Sequence, residues 1–394
     1  MTTQDNKNTE KSRESILLEE LSKRPVRKDL TPVQKALSSL GDFTDSTVIQ
    51  VVGSKGKGSV VHYLSQILIQ FDYSVMSYTS PHFEHPSERF SRDGNVWSRE
   101  QFRAELNRID PETFEDLSPF EILLFLFLKN ASEDIPEFII LEAGMGGRWD
   151  ATSAVPANMT ILTSIELEHT RMLGETETEI TREKTAQIPE ESMLVSTSFS
   201  GPVEEIVRDR VREKHLTYSQ SPCANSAQQT MKKLAIHAAS LLTKKQDSAL
   251  EPLVSSLNPP PGRQEIRMDS ARKLILDVAH TPESIRALLE KINDNEHTQP
   301  YLVLGMLRGK RHEQILEILE QAIPLSQWYL VKPPSPRAQA PELMCRHLSD
   351  PEKPACYPTP RASARALRED TEEGSTIIVT GSFPIVGWFR EHGL

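Results

Sequence analysis

The segment from Val48 to Ser59, Val-Ile-Gln-Val-Val-Gly-Ser-Lys-Gly-Lys-Gly-Ser, restricts the fold of this chain more than any other stretch. Val48–Val52 is an apolar run with the length of a short buried strand. Gly53, Gly56 and Gly58 follow at once, and a helical pattern opens at Val60, Val61, Leu64, Ile67 and Leu68. A strand, a glycine-rich turn, a lysine and a helix N-terminus in that order form a phosphate cradle. Its backbone N–H groups and the positive end of the helix dipole face the anion. In such a cradle Lys57 reaches β/γ-phosphate oxygens and Ser59 holds Mg²⁺. Gly58, between the lysine and the hydroxyl residue, departs from the general P-loop pattern. A bare glycine cluster is more often a turn, but the flanking strand and helix favour a nucleotide site here.

The rest of the first half alternates in the same way. Strands are expected at Tyr73–Thr79, Glu137–Glu142, Met159–Ser164 and Met193–Thr197. Helices are expected at Gly58–Gln70, Arg99–Arg108, Phe120–Lys129 and Thr178–Lys184, the third starting well from Ser118-Pro119. Short apolar strands alternating with helices imply an α/β fold whose parallel sheet is covered on both faces. Leu257–Gly262, Leu-Asn-Pro-Pro-Pro-Gly, is a stiff helix-breaking hinge. Beyond it strands Lys273–Val278, Tyr301–Gly305, Trp328–Val331 and Thr376–Thr380 alternate with helices Pro282–Ile292, His312–Ala322 and Pro341–Leu348. The expected division is a disordered tail over 1–14, a P-loop domain over 15–260 and a smaller Rossmann-like α/β domain over 261–394.

Composition narrows the partners. The 394 residues suffice for two domains, and 37% apolar content with this alternation argues against disorder. A net charge of −11 gives no reason to expect nucleic acid or an anionic membrane. A nucleotide site in so acidic a chain needs local cations, for which Lys57, Arg148, Lys184 and Arg263 are candidates. Cys223, Cys345 and Cys356 lack metal-ligand spacing and fit a reducing cytoplasm. The polar N-terminus is not a signal peptide, and the most apolar run, Phe120–Leu128, is too short to span a bilayer.

Three further clusters carry chemistry. Glu142 ends an apolar strand and precedes Gly144, Gly146 and Gly147. The carboxyl end of a parallel strand faces the ligand crevice, where a hard oxygen suits Mg²⁺; the alternative is a solvated strand cap. His169 follows the strand at Met159 and could ligate a second metal, although imidazole is an unusual Mg²⁺ ligand and a lone histidine is usually structural. By itself Lys184 is a helix-surface cation. Asp277 and His280 lie where a strand ends and Pro282 starts a helix. Asp277 suits a ribose hydroxyl or, equally, an N-cap network.

Taken together, these segments resemble the folylpolyglutamate synthase/dihydrofolate synthase family of Mur-type ligases, from about Leu37 to Trp388 and in the family's order. The matches are Gly53-Ser-Lys-Gly-Lys-Gly-Ser59, Tyr78-Thr-Ser-Pro-His82, Glu88-Arg89, Phe120-Glu121 and Leu141-Glu-Ala-Gly-Met-Gly-Gly-Arg-Trp-Asp-Ala-Thr152. They continue with Glu168-His169-Thr170, Arg182-Glu-Lys184, Pro261-Gly-Arg263, Asp277-Val-Ala-His-Thr-Pro282 and Thr380-Gly-Ser382. The resemblance implies a Mur-ligase central domain followed by a C-terminal glutamate ligase domain. It implies that ATP phosphorylates a carboxylate of dihydropteroate or a reduced folate, and that L-glutamate attacks the acyl phosphate. Gly53 and Gly56 to Ser59 would hold phosphates. Ser59, Ser80 and Glu142 would hold Mg²⁺, with His169 joining Glu142 at a second ion. Lys184 matches a lysine that the family carbamylates into an anionic oxygen ligand. Lys57, Glu142, His169 and Lys184 would thus form the catalytic set. Arg263, Asp277 and His280 match residues around ATP, which the family holds between domains that close on it. Phe120, Glu121, Asp150, Ala151 and Thr152 match the pteroate pocket. A cytoplasmic monomer acting on small molecules is implied.

Some positions depart from the family. Lys55 replaces the usual P-loop asparagine, and Val278 and Thr281 alter the Asp-Gly-Ala-His-Asn-Pro motif. Arg308-Gly-Lys-Arg311 stands where Asp-Lys-Asp is common, and no asparagine occurs near Lys232–Ala235. The loop after His82, Phe83-Glu-His-Pro-Ser87, lacks the usual arginine–aromatic pair. Two other readings follow: a Mur-type ligase with a different acceptor, and a non-catalytic protein that binds ATP or folate.

Overall fold

The computed structural model describes residues 28–246, 256–293, 299–309 and 312–394, with Glu14, Leu17, Leu250, Pro252 and Leu253. The chain divides into two compact units, Met1–Leu257 and Asn258–Leu394. Of the tail expected over 1–14, all but Glu14 lies outside the described residues. Glu14 is buried, and its carboxylate meets His85 Nε2 at 2.9 Å and accepts from Arg103 Nε at 2.8 Å.

The first unit is built on β1 (Thr47–Val52), β2 (Val75–Tyr78), β3 (Phe90–Arg92), β4 (Asn95–Val96), β5 (Phe138–Glu142), β6 (Met159–Leu162), β7 (Met193–Thr197) and β8 (Thr217–Ser221). Their order across the sheet is β4-β3-β2-β5-β1-β6-β7-β8. From β2 to β8 all neighbours are parallel. The β3–β4 hairpin reverses this at one edge, contrary to the expected all-parallel sheet. Asp93 and Gly94, both at positive φ, make the two-residue turn of that hairpin, while β3 takes its direction against β2 from the segment 79–89.

The central strands are covered on both faces, which is why they read as unbroken apolar runs. Ile49, Val51, Ile140 and Ile161 pack with the helices Lys57–Gln70 and Ala227–Thr243. Val48, Ile139, Leu141 and Tyr78 pack on the opposite side with the helix Pro119–Asp134.

The second unit carries β9 (Glu265–Asp269), β10 (Arg272–Leu276), β11 (Tyr301–Leu304), β12 (Trp328–Val331), β13 (Ala355–Tyr357) and β14 (Thr376–Thr380). The order is β13-β12-β11-β14-β10-β9, parallel except for the edge strand β9. Ser270 and Ala271, again both at positive φ, make that reversal. Ile275, Leu302, Leu304, Leu330 and Ile378 form a core with Ile285, Leu289, Ile315 and Leu319 of the helices Pro282–Asn293 and His312–Ala322. Both units are thus doubly wound α/β folds, as the alternation predicts. Among the described residues no helix is long and apolar enough to cross a membrane.

Candidate active site

The chemistry-bearing segments of the first unit all follow the carboxyl ends of parallel strands. After β1 the chain turns through Gly53 at φ +141°, where a Cβ would lie 2.0 Å from Thr163 Oγ1. Gly56, at φ +83°, begins the helix Lys57–Gln70, and a Cβ there would lie 2.3 Å from Met231 Sδ. No side chain fits either place. The segment after β6 clamps the loop: Thr163 Oγ1 donates to the Lys55 carbonyl at 2.7 Å, and Ser164 Oγ accepts from Lys55 N at 2.9 Å. The Lys55 side chain pairs with Glu166 at 2.6 Å, so the cation that replaces the usual asparagine already has a counter-charge.

Two lysines meet on this loop. Lys57 Nζ donates to the carbonyls of Gly53 at 2.9 Å and Ser54 at 3.3 Å. Lys184 Nζ donates to the same Gly53 carbonyl at 2.8 Å and to Glu168 Oε1 at 2.7 Å. Lys184 is only 1% exposed, not the surface cation its helix position suggests in isolation. Burial holds its ammonium below the ordinary lysine value; the Lys57 charge adds to this and Glu168 opposes it. The glycine run after β5 explains how a helix comes so near. A Cβ on Gly147 would lie 2.3 Å from the Glu183 carbonyl oxygen and 2.7 Å from Lys184 Cα.

Glu142, the last residue of β5, lies beside Val51 of β1 and is buried. Its Oε2 accepts from Ser80 N at 2.8 Å, and a Cβ on Gly58 would stand 3.2 Å from the same oxygen. The carboxylate therefore lies against the first helical turn, which also carries Ser59. Ser59 in the helix after β1, Ser80 just past β2 and Glu142 at the end of β5 offer hydroxyl and carboxylate oxygens, a donor set that fits Mg²⁺. His169 is exposed at φ +46°, at the start of the short helix Thr170–Leu173 and next to Glu168. Glu168 lies in a matched motif but, like Thr163 and Ser164, is given no role by the sequence, because what marks the three is their contact with the loop and with Lys184.

The turn after Ser80 is tied by Glu88, whose carboxylate accepts from the amides of Phe83 (2.9 Å), Glu84 (2.9 Å) and His85 (2.8 Å). Arg89 is buried and donates from Nε to His82 Nδ1 at 3.0 Å. Among the described residues its Nη1 meets no hydrogen-bond acceptor and no carboxylate lies in ion-pair range.

The residues expected to line an acceptor pocket are placed unequally. Phe120 is half-buried, edge-on to Tyr78 at 5.8 Å, and a Cβ on Gly144 would touch its ring at 2.8 Å. Glu121 accepts from Ser118 N at 2.6 Å and completes a capping box for its helix. Asp150 accepts from Met145 N at 2.8 Å, Thr152 N at 3.0 Å and Thr152 Oγ1 at 2.7 Å. Burial raises the Asp150 carboxyl above its ordinary range against the pull of those donors. Ala151 and Thr152 are buried. The bonds that Glu121 and Asp150 accept thus run to nearby amides and the Thr152 hydroxyl.

In the second unit Arg263 is exposed, with its guanidinium 5.8 Å from the Phe383 ring centre. Asp277 follows β10, is buried, and accepts from Gln264 N at 2.9 Å and Ala279 N at 2.7 Å. Burial lifts its carboxyl above the usual range, and Arg263 pulls the other way. His280 Nδ1 meets the Val278 carbonyl at 2.7 Å. Thr281 caps the helix Pro282–Asn293: its Oγ1 accepts from Ser284 N at 3.3 Å, and Ser284 Oγ accepts from Thr281 N at 3.0 Å. Arg308 donates to the Ala338 carbonyl at 3.2 Å, while Lys310 and Arg311 lie outside the described residues. In the first unit, where a nucleotide-binding asparagine is missing, Lys232 reaches the Leu257 carbonyl at 3.1 Å.

Residues 262–383 match the family described as "Mur ligase, glutamate ligase domain". The chain is 28% identical over 406 aligned residues, 94% of each chain, to a dihydrofolate synthase/folylpolyglutamate synthase of Buchnera aphidicola. Its structure is similar to E. coli FolC in complex with DHPP and ADP, with a TM-score of 0.80 at 23% identity, covering 95% of this chain and 97% of that one. It is also similar to the Yersinia pestis bifunctional folylpolyglutamate synthase/dihydrofolate synthase complexed with AMPPNP and Mn ion. There the TM-score is 0.80 at 24% identity, covering 96% of this chain and 97% of that one.

Proposed function

Since this chain belongs to the folylpolyglutamate synthase/dihydrofolate synthase family of Mur-type ligases, we propose that it is an ATP-dependent ligase joining a pteroate or folate carboxylate to L-glutamate. ATP phosphorylates the acceptor acid, the glutamate amine attacks the acyl phosphate, and a tetrahedral intermediate collapses to an amide and phosphate. The observation that carries this reading is the buried Glu142 carboxylate, lying against the first turn of a glycine-loop helix whose loop gathers two lysines.

Such phosphoryl transfer depends on positioning and charge neutralisation more than on covalent chemistry. The loop amides and Lys57 hold the phosphates. Ser59, Ser80 and Glu142 hold Mg²⁺, and His169 and a carbamylated Lys184 serve a second ion. When bound, the metal neutralises charge on the transferring phosphoryl group. A depressed Lys184 keeps more of its amine neutral at a given pH, and the neutral amine is the form that carbamylates. Arg89, buried with an unmet donor, suits an anionic group of a substrate. Phe120 faces the acceptor, while Glu121 and Asp150 to Thr152 frame it from behind. In the second unit, Arg263 and the Asp277–His280 turn offer a cation and hydrogen-bonding groups suited to a nucleotide. The enzyme works as a cytoplasmic monomer on these small molecules.

A second reading, a ligase with a different acceptor, is favoured by the altered loop at Phe83–Ser87. One assay separates the readings: phosphate release from ATP with a panel of pteroates, folates and amino acids. Turnover that needs both a pteroate or folate and L-glutamate supports the first. Turnover only with unrelated acids supports the second, and nucleotide binding without acyl phosphate from any acceptor excludes both.

A further inference from the structure

Two of the three cysteines, at positions with no part in the chemistry above, converge in the second unit. Cys345 ends the helix Pro341–Cys345 and is buried in the core, whereas Cys356 is exposed in the middle of β13, beside Leu330 of β12. Eleven positions apart in sequence, their sulfurs stand 3.1 Å from each other. A covalent bond of about 2.05 Å lies roughly 1 Å of closure away, within the reach of side-chain rotation. We propose that Cys345 and Cys356 form a reversible oxidation site, a dithiol that closes to a disulfide on exchange with a low-molecular-weight disulfide and so fastens the edge strand β13 to the helix beside it.

The exchange balances without any further reagent. The exposed Cys356 loses its proton to solvent, and its thiolate attacks one sulfur of the small disulfide. This forms a mixed disulfide and expels one small thiolate. The Cys345 thiolate then attacks the Cys356 sulfur, forming the internal bond and expelling the second small thiolate. Two protein thiols are oxidised, one small disulfide is reduced to two thiols, and the two protons pass to the leaving thiolates. Burial lifts the Cys356 thiol well above its ordinary range, with Cys345 and the Glu342 carboxylate acting in the same direction. The thiolate is therefore scarce at neutral pH, and the pair stays reduced until small disulfides accumulate.

Cys223 supplies an internal control, being exposed and in the first unit. The full chain is incubated with oxidised glutathione, alkylated, digested with trypsin without reductant and read by mass spectrometry. Cleavage after Arg346 separates the two cysteines, so the bond appears as a linked peptide pair that a reductant divides. The expected result is that linked pair, with glutathione retained on Cys223. In Cys345→Ser the expected product is instead a mixed disulfide of glutathione on Cys356. A wild-type chain in which Cys223 is fully glutathionylated, while Cys345 and Cys356 remain alkylatable or Cys356 keeps its glutathione, overturns the proposal.

Discussion

Lys57 and Lys184 donate to one and the same carbonyl oxygen, that of Gly53, at 2.9 Å and 2.8 Å. Two ammonium groups on a single neutral acceptor repel each other, and Glu168 offsets only the Lys184 side. With Lys184 uncarbamylated, the glycine loop is thus a concentration of positive charge.

Lys57→Ala and Glu142→Gln should each lower kcat/KM by about 10³-fold, the scale of removing one charged group aimed at a transition state. Thermal unfolding followed by circular dichroism should stay close to wild type. Phosphate release at a near-normal rate in either variant would remove that residue from the phosphate and metal apparatus.

Lys184 sets a pH dependence of stability. Its folded-state pKa is depressed, so the unfolded chain binds more protons between that value and the ordinary lysine value of about 10.4. Stability from this group therefore rises with pH through that window. Urea titrations at a series of alkaline pH values should show the rise in wild type and its loss in Lys184→Met. Parallel profiles for the two proteins would contradict the depression.

Glu121→Ala tests the division between frame and pocket. Loss of the reciprocal cap at Ser118 should cost about 1 kcal/mol in urea unfolding, typical of N-terminal capping groups. The KM for the acceptor should hardly move. A large KM increase without a stability loss would return Glu121 to the pocket wall.

Gly147→Ala forces a methyl group into the backbone of Glu183 and Lys184. Neither neighbour is the flexible end of a side chain, so about 1–3 kcal/mol of stability should be lost, as overpacking commonly costs. Activity should fall with it, because the helix that carries Lys184 must back away. Unchanged denaturation midpoint and turnover would show that the loop yields instead.

Arg263→Met should raise the Asp277 pKa further, because that guanidinium is the main charge opposing the effect of burial. Carboxyl-carbon NMR titration of the apo protein reads this directly. An unmoved Asp277 would break the electrostatic link between the two.

Buried strands were the legible part of the fold. β1, β5, β7, β12 and β14 are apolar runs because both faces of each sheet are covered. β3, β4, β8, β9 and β13 are edge or near-edge strands, short and mixed in composition, such as Thr-Tyr-Ser-Gln-Ser in β8. One-sided burial leaves no such run, and the pairs Asp93-Gly94 and Ser270-Ala271 mark the turns of two hairpins. The helix Gly201–Glu213 begins with Gly201-Pro202, which reads as a breaker although proline suits a first turn. The helix Ala227–Thr243 is not among the helices expected from the sequence, although Met231, Leu234, Ala235, Ala238 and Ala239 carry helical spacing. At the candidate site, Lys57 and Glu142 stand out from motif and strand position, and Ser80 from the family resemblance alone. The burial of Lys184, its pairing with Glu168 and the capping duty of Glu121 depend on which segments fold together, which no local pattern encodes.

Glu88 holds the main chain of Phe83, Glu84 and His85 through their amides. Those three bonds run to backbone and persist whichever side chains stand at 83 and 84, while the Glu84 carboxylate adds a pair with Arg99. Substitution there can change the surface beside Ser80 while this main-chain support stays in place, so new side chains can be tried one residue at a time on a turn that is already held.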